Sequence, residues 1–137
     1  MVSVRPLLVA AAVSAAAACT FHSPPPDGMP PPPAVREVVV VEMLPSLQFS
    51  PREVTIRVGD AVEWRNAGTH VHTVTADPAR AHDPTRVILP PGAAPFDSGP
   101  IAAGGVYRYV FRTPGRYQYI CGPHEDQGMM GTVHVAG

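Results

Sequence analysis

Between residues 117 and 135 the sequence reads YQYICGPHEDQGMMGTVHV, placing a thiol (Cys121), an imidazole (His124) and a thioether (Met129) within nine residues. A glycine–proline pair directly after the cysteine implies a tight turn between two strands. One thiolate, one imidazole and one thioether in a single loop are soft donors, a set that selects copper or, less often, zinc. Met130 competes with Met129 for the sulfur position, but period-2 order along residues 130–135 turns Met130 outward and leaves Met129 in the loop. A fourth donor has to come from elsewhere. His72, in HVHTVTA over residues 70–76, shares a face with Val74 and Ala76. His70 has the same parity and competes with it, but follows Gly68-Thr69 and still reads as loop. Two histidines, a cysteine and a methionine form the ligand type of a trigonal His2Cys copper plane with a weak axial methionine. His134 lies between two inward valines and faces solvent, His82 falls in an irregular connection, and His22 belongs to the leader.

The elements that must position these groups read as strands. EVVVVEM (37–43) is a β-branched run, and EVTIRV (53–58) alternates with Val54, Ile56 and Val58 on one face. AVEWRN (61–66) follows a Gly59-Asp60 turn, and HVHTVTA (70–76) reads as another short strand. GVYRYVF (105–111) and RYQYIC (116–121) carry alternating aromatics, and MGTVHV (130–135) comes last. Tyr107, Tyr109, Tyr117 and Tyr119 read as core filling rather than as an electron-hopping route. Cys121, in phase with Tyr119, points inward at its strand's end. Residues 77–100, with six prolines, form a long connection that skirts the strands, with one short helical turn near residues 78–82. The fold class is all-β, a β-sandwich of about eight strands.

The first thirty-four residues are of a different kind. One arginine, a small-residue apolar run over residues 6–19 and an alanine triplet have the layout of an export signal, here residues 1–18, and the run is too short for a membrane span. Cys19, directly after Ala16-Ala17-Ala18, resembles the processing site of bacterial lipoproteins, although Ala16 stands where that motif prefers a large aliphatic residue. Cleavage by ordinary signal peptidase would leave the same cysteine first without a lipid. Seven of the twelve residues 23–34 are proline, so residues 19–34 read as a semi-rigid spacer. Residues 35–137 are then one domain whose lone thiol, Cys121, sits in a compartment that oxidises free thiols. Metal ligation would explain it. With ten arginines, no lysine, eleven acids and a net charge of −1, the chain shows no basic stripe for nucleic acid.

Two stretches, NAGTHVHTV (66–74) and PGRYQYICGPHEDQGMMGTVHV (114–135), resemble the plastocyanin branch of the cupredoxins. The shared features are an asparagine ahead of a histidine, a proline–glycine turn, alternating aromatics, Cys-x2-His-x4-Met-x-Gly and a valine-rich last strand. The resemblance covers residues 37–137. It implies a Greek-key sandwich around a single type 1 copper that carries one electron, with His72, Cys121, His124 and Met129 as ligands. Asn66 and Thr73 would support the loops around the site; the position of Thr73 is commonly asparagine in plastocyanins. The family also implies electron passage at the outer edge of His124. Glu125 and Asp126 are expected to give that rim negative character towards a partner such as a cytochrome. An oxidase is the other partner class, and the expected form is a monomer in the periplasm or on the extracellular face of the membrane, held by lipid at Cys19. The rival functions are a periplasmic copper storage or delivery protein and a metal-free tethered interaction module. An enzyme would need further histidines, additional copper centres and a longer chain.

Overall fold

The computed structural model describes residues 34–137, so the expected leader, the lipidation site at Cys19 and all but the last residue of the spacer lie outside the described residues. Among the described residues nine strands form two sheets: β1 (Val38–Leu44), β2 (Gln48–Ser50), β3 (Glu53–Arg57), β4 (Ala61–Asn66), β5 (Thr75–Ala76), β6 (Phe96–Asp97), β7 (Val106–Val110), β8 (Gly115–Ile120) and β9 (Met130–Ala136). One sheet runs β2-β1-β4-β7 and the other β3-β9-β8-β5-β6, with β1/β4 and β3/β9 parallel and the other pairs antiparallel. The expected sandwich is present, with β2 and β6 added as short strands.

Alternation explains which residues go inside. Val62, Trp64 and Asn66 of β4 face the core, while Glu63 faces outward beneath two guanidinium groups. Arg108 and Arg65 hold the Glu63 carboxyl below its ordinary range by hydrogen bonding to it. Trp64 sits in an aromatic cluster, 5.3 Å from Tyr119 edge to face, and Tyr119 lies 4.8 Å from Phe49 between ring centroids. Such pairs add to the burial of large apolar area. Phe96 of β6 stacks on Tyr109 at 4.0 Å, which brings the far end of the proline-rich connection into the core. Gly131 of β9 stands opposite Tyr119 of β8, and a Cβ there would come within 2.3 Å of the phenol oxygen. The glycine that follows Met129-Met130 is therefore required by the aromatic core.

The strand expected over residues 70–76 is mostly loop. Only Thr75 and Ala76 are ladder-paired, and His72 makes an isolated antiparallel bridge to Ile101, with His72 N–H to Ile101 O 3.1 Å and Ile101 N–H to His72 O 2.8 Å. The β-branched alternation is real, but the partners of residues 70–74 are irregular chain. The connection over residues 77–95 carries two 3-10 turns, Pro78–Arg80 and Pro84–Arg86, where one was expected. Each starts on an aspartate, Asp77 or Asp83, whose carboxylate accepts a backbone N–H two residues on, a local competition that short acidic side chains favour.

Strand direction sorts the loops between two ends. The starts of β1 and β4 and the ends of β7, β3 and β9 share one end with residue 34. The ends of β4 and β8 and the start of β9 mark the other, and that end holds Cys121, His124 and Met129.

Candidate metal centre

Cys121 follows the last residue of β8, fully buried, in phase with Tyr119. The chain then enters a 3-10 segment, Gly122–Gln127, with His124 N–H bonded to Cys121 O at 3.1 Å and Met129 N–H to His124 O at 3.2 Å. Gly128, at φ +77°, turns the chain back in the left-handed region that glycine accepts freely. Cys121 N–H then closes the loop on Met129 O at 3.0 Å. This brings His124 beside the thiol and buries Met129 completely.

His72 arrives from the other side. Asn66, buried at the end of β4, donates from Nδ2 to His70 O (2.8 Å) and Ile101 O (2.9 Å) and accepts Gly68 N–H (3.0 Å). It shapes the 66–70 turn and shares Ile101 O with the backbone of His72, so the imidazole is fixed from two directions. Thr73, the next residue, donates its backbone N–H to Cys121 Sγ at 3.4 Å and accepts Gly122 N–H on Oγ1 at 2.8 Å. Thr75 Oγ1 in turn contacts Thr73 Oγ1 at 3.0 Å and donates to Asp97 at 2.7 Å.

The outcome is a convergent donor set. Nδ1 of His72 lies 3.6 Å and Nδ1 of His124 3.4 Å from Cys121 Sγ, and the donor atoms of these three residues all lie within 4.8 Å of one another. N and S donors bound to one first-row ion at about 2.0–2.3 Å lie no more than about 4.6 Å apart, so both separations from sulfur suit a shared ion. His72 is fully buried and its Nε2 has no partner. Burial lowers the His72 and His124 pKa values from the usual 6.5, and the neighbouring imidazoles lower them further. Burial also pushes the Cys121 thiol up, against the opposing pull of the Thr73 N–H. Burial therefore favours the neutral imidazoles that a metal binds, while metal binding would have to displace the thiol proton.

The rivals and neighbours fall as follows. His70 is exposed and outside the convergent set, its ring centroid 5.9 Å from that of His124. Met130 is half-buried at the start of β9. His134 pairs with Glu53 on the outer face, away from the donors. The acidic rim is not formed as expected. Glu125 turns inward, 1% exposed, and accepts the backbone N–H groups of His82 and Asp83. Asp126 stays exposed but lies 3.7 Å from His82. Sequence reasoning missed Glu125 as an internal group because its partners are 42 and 43 residues away. It also missed Ile101, whose role is a backbone pairing that leaves no side-chain signal.

A β-sandwich that brings two imidazoles and one thiol together at one end, beside a buried methionine, has the architecture of a mononuclear copper protein. Residues 37–136 match the family described as copper binding proteins, plastocyanin/azurin family, and the chain belongs to that family. Chloroplastic plastocyanin of Tetradesmus obliquus is 36% identical over 90 residues, 66% of this chain, which spans only 59% of that protein's length. Plastocyanin of Scenedesmus fuscus is 33% identical over 90 residues, covering 66% of this chain and 88% of that one. Among solved structures, a substituted amicyanin in the Cu(I) state superposes with a TM-score of 0.57 at 26% identity, over 72% of this chain and 82% of its own. The cofactor is copper, and the soft donor set fits it.

Proposed function

We propose that this protein is a one-electron carrier and that His72, Cys121, His124 and Met129 hold its single copper ion. The observation that carries the proposal is the approach of two Nδ1 atoms to one buried Sγ, at 3.6 and 3.4 Å. Copper bound there supplies a Cu(I)/Cu(II) couple whose potential depends on the axial sulfur and on hydrogen bonding at the thiolate.

The chain's own residues do the rest. Asn66 and Thr73 hold the His72 and Cys121 loops against each other, and the Thr73 N–H donates to the sulfur. Met129 and the aromatic core exclude water from the inner side. His124 is half-buried, follows exposed Pro123 and has the exposed His70 ring 5.9 Å away, so its ring edge is the way in for an electron. With Glu125 turned inward, this surface carries less negative charge than the sequence suggests. It suits a redox protein such as a cytochrome or an oxidase that docks mainly by contact rather than by charge.

Four protein donors leave no open position for a substrate, which favours a carrier over an enzyme. We place it outside the cytoplasm as a monomer, with residues 1–18 as the export leader and 19–34 as a spacer carrying lipid on Cys19 ahead of the 35–137 domain. The described chain begins at the end opposite the donors, so a tether there leaves His124 free to meet partners.

Redox titration of the copper-loaded full chain tests the proposal. A reversible one-electron couple, with copper retained through repeated cycles, is the expected result. Copper lost to a chelator on reduction, without a stable couple, would favour storage or delivery. A chain that binds no copper would favour the metal-free interaction module.

A further inference from the structure

We propose that Glu125 is a positioning residue for the copper centre, a buried latch through which the connection over residues 77–95 fixes the loop that carries His124. This rests on the ligand reading above. Glu125 directly follows His124 in a surface turn, where a glutamate ordinarily stays in water. It is nevertheless 1% exposed. Its two carboxylate oxygens accept separate backbone N–H groups, Oε2 from His82 at 2.8 Å and Oε1 from Asp83 at 2.9 Å. Its own carbonyl oxygen accepts Arg86 Nη1 at 2.7 Å and Gly128 N–H at 2.9 Å.

The connection is itself anchored to the strand that delivers Cys121. Arg86 O accepts Gln118 Nε2 at 2.8 Å, and Ile88 and Gln118 exchange backbone hydrogen bonds at 3.1 and 2.9 Å. A strap therefore runs from β8, over residues 88–82, to Glu125.

The ligand loop is fastened to other parts of the molecule at its start and at its midpoint. Near Cys121 the fastener is Thr73, which accepts Gly122 N–H. Beyond His124 it is Glu125 with Arg86. The bonds of His124's own backbone, to Cys121 O and from Met129 N–H, stay inside the loop and would move with it. Burying a carboxylate is costly unless it is fully hydrogen-bonded, and a turn that only had to reverse the chain would not need one. Hydrogen bonds from backbone N–H groups to an ionised acceptor are the stronger kind. Groups outside the ligand set that orient it commonly change metal affinity by about 10- to 100-fold when removed.

The test uses the full chain, metal-free and loaded with Cu(II), as wild type, Glu125→Gln, Glu125→Ala and Arg86→Gln, with Glu53→Gln as a control on the outer face. Release of copper to a chelator should quicken about tenfold or more in Glu125→Ala, and less in Glu125→Gln, which keeps one acceptor oxygen. Arg86→Gln should shift release in the same direction without altering the loop's own sequence. The midpoint potential and the visible band positions should move in the same order, with Glu53→Gln unchanged. Amide exchange at His82 and Asp83 in the metal-free chain should accelerate in both Glu125 variants. That readout does not depend on copper, so the latch can be judged even where the carrier reading fails. Wild-type release, potential and spectrum in the Glu125 and Arg86 variants, accompanied only by lower thermal stability, would overturn the proposal. If Glu125→Ala does not fold, Glu125→Gln and Arg86→Gln decide it.

Discussion

The two ends of the sandwich treat their buried polar groups differently. At the end where residue 34 lies, buried Asp60 is tied into the backbone around it: its Oδ2 accepts Arg57 N–H at 2.8 Å and its backbone bonds Arg57 and Phe111. Gly59 N–H beside it bonds Phe111 O at 2.8 Å. At the other end, Asn66, Thr73 and Glu125 are equally well satisfied. The groups they surround are not. Nδ1 of His72 and Nδ1 of His124 meet only at Cys121 Sγ, at 3.6 and 3.4 Å, and the sulfur otherwise has one N–H at 3.4 Å. One end is closed on itself. The other is a rigid frame around donors held for something else.

The same contrast can be broken by substitution. The largest effect should come at the donor end. Gly131→Ala drives a Cβ against the phenol ring of Tyr119, one pair in from the end of β8 and the start of β9, where the fully buried ring has no room to move. A loss of about 3 kcal/mol or more is expected in chemical denaturation, and with it the copper site. Asn66→Ala should cost about 2 kcal/mol by leaving Gly68 N–H and His70 O unpartnered. Because it frees the His72 turn, it should also change the visible spectrum of the loaded protein. Asp60→Ala should cost about 1 kcal/mol and leave that spectrum as it is. A spectral change in Asp60→Ala, or none in Asn66→Ala, would remove the distinction between the two ends.

Most of this site can be read along the chain because it is local. Cys121, His124 and Met129 fall in one loop, and the shared parity of Tyr117, Tyr119 and Cys121 is enough to aim the thiol inward. His72 needed only the face it shares with Val74 and Ala76, and the same alternation misled about the strand itself. β-Branched alternation reports burial on one side, whereas a ladder needs a regular neighbour, and residues 70–74 have Ile101 and Ser98 instead. Glu125 shows the limit more sharply. A glutamate in a turn beside an aspartate looks like surface charge, and its burial depends on two backbone N–H groups more than forty residues upstream. Strand β6 escaped notice for the same reason, since Phe96 and Asp97 are ordered by pairing with β5 and stacking on Tyr109.

A smaller effect follows from the histidines. His72 and His124 have pKa values below the usual 6.5 because they are buried and near other imidazoles. In the metal-free chain the unfolded state therefore binds more protons as pH drops through that value. Stability should be fully present above about pH 6.5 and decline below it. Thermal unfolding of the metal-free chain across this range should show the slope, and His72→Gln should flatten it. A melting temperature that rises on acidification would contradict the neutral, buried imidazoles.

The electron-carrier role depends most on copper being held by the Cys121 thiolate. The most direct measurement is the visible absorption of the full chain, purified metal-free and titrated with Cu(II), alongside Cys121→Ser. An intense blue band that saturates at one copper per chain and is absent from Cys121→Ser is the predicted result. A colourless or faintly absorbing wild-type protein, or an unchanged band in Cys121→Ser, would contradict it.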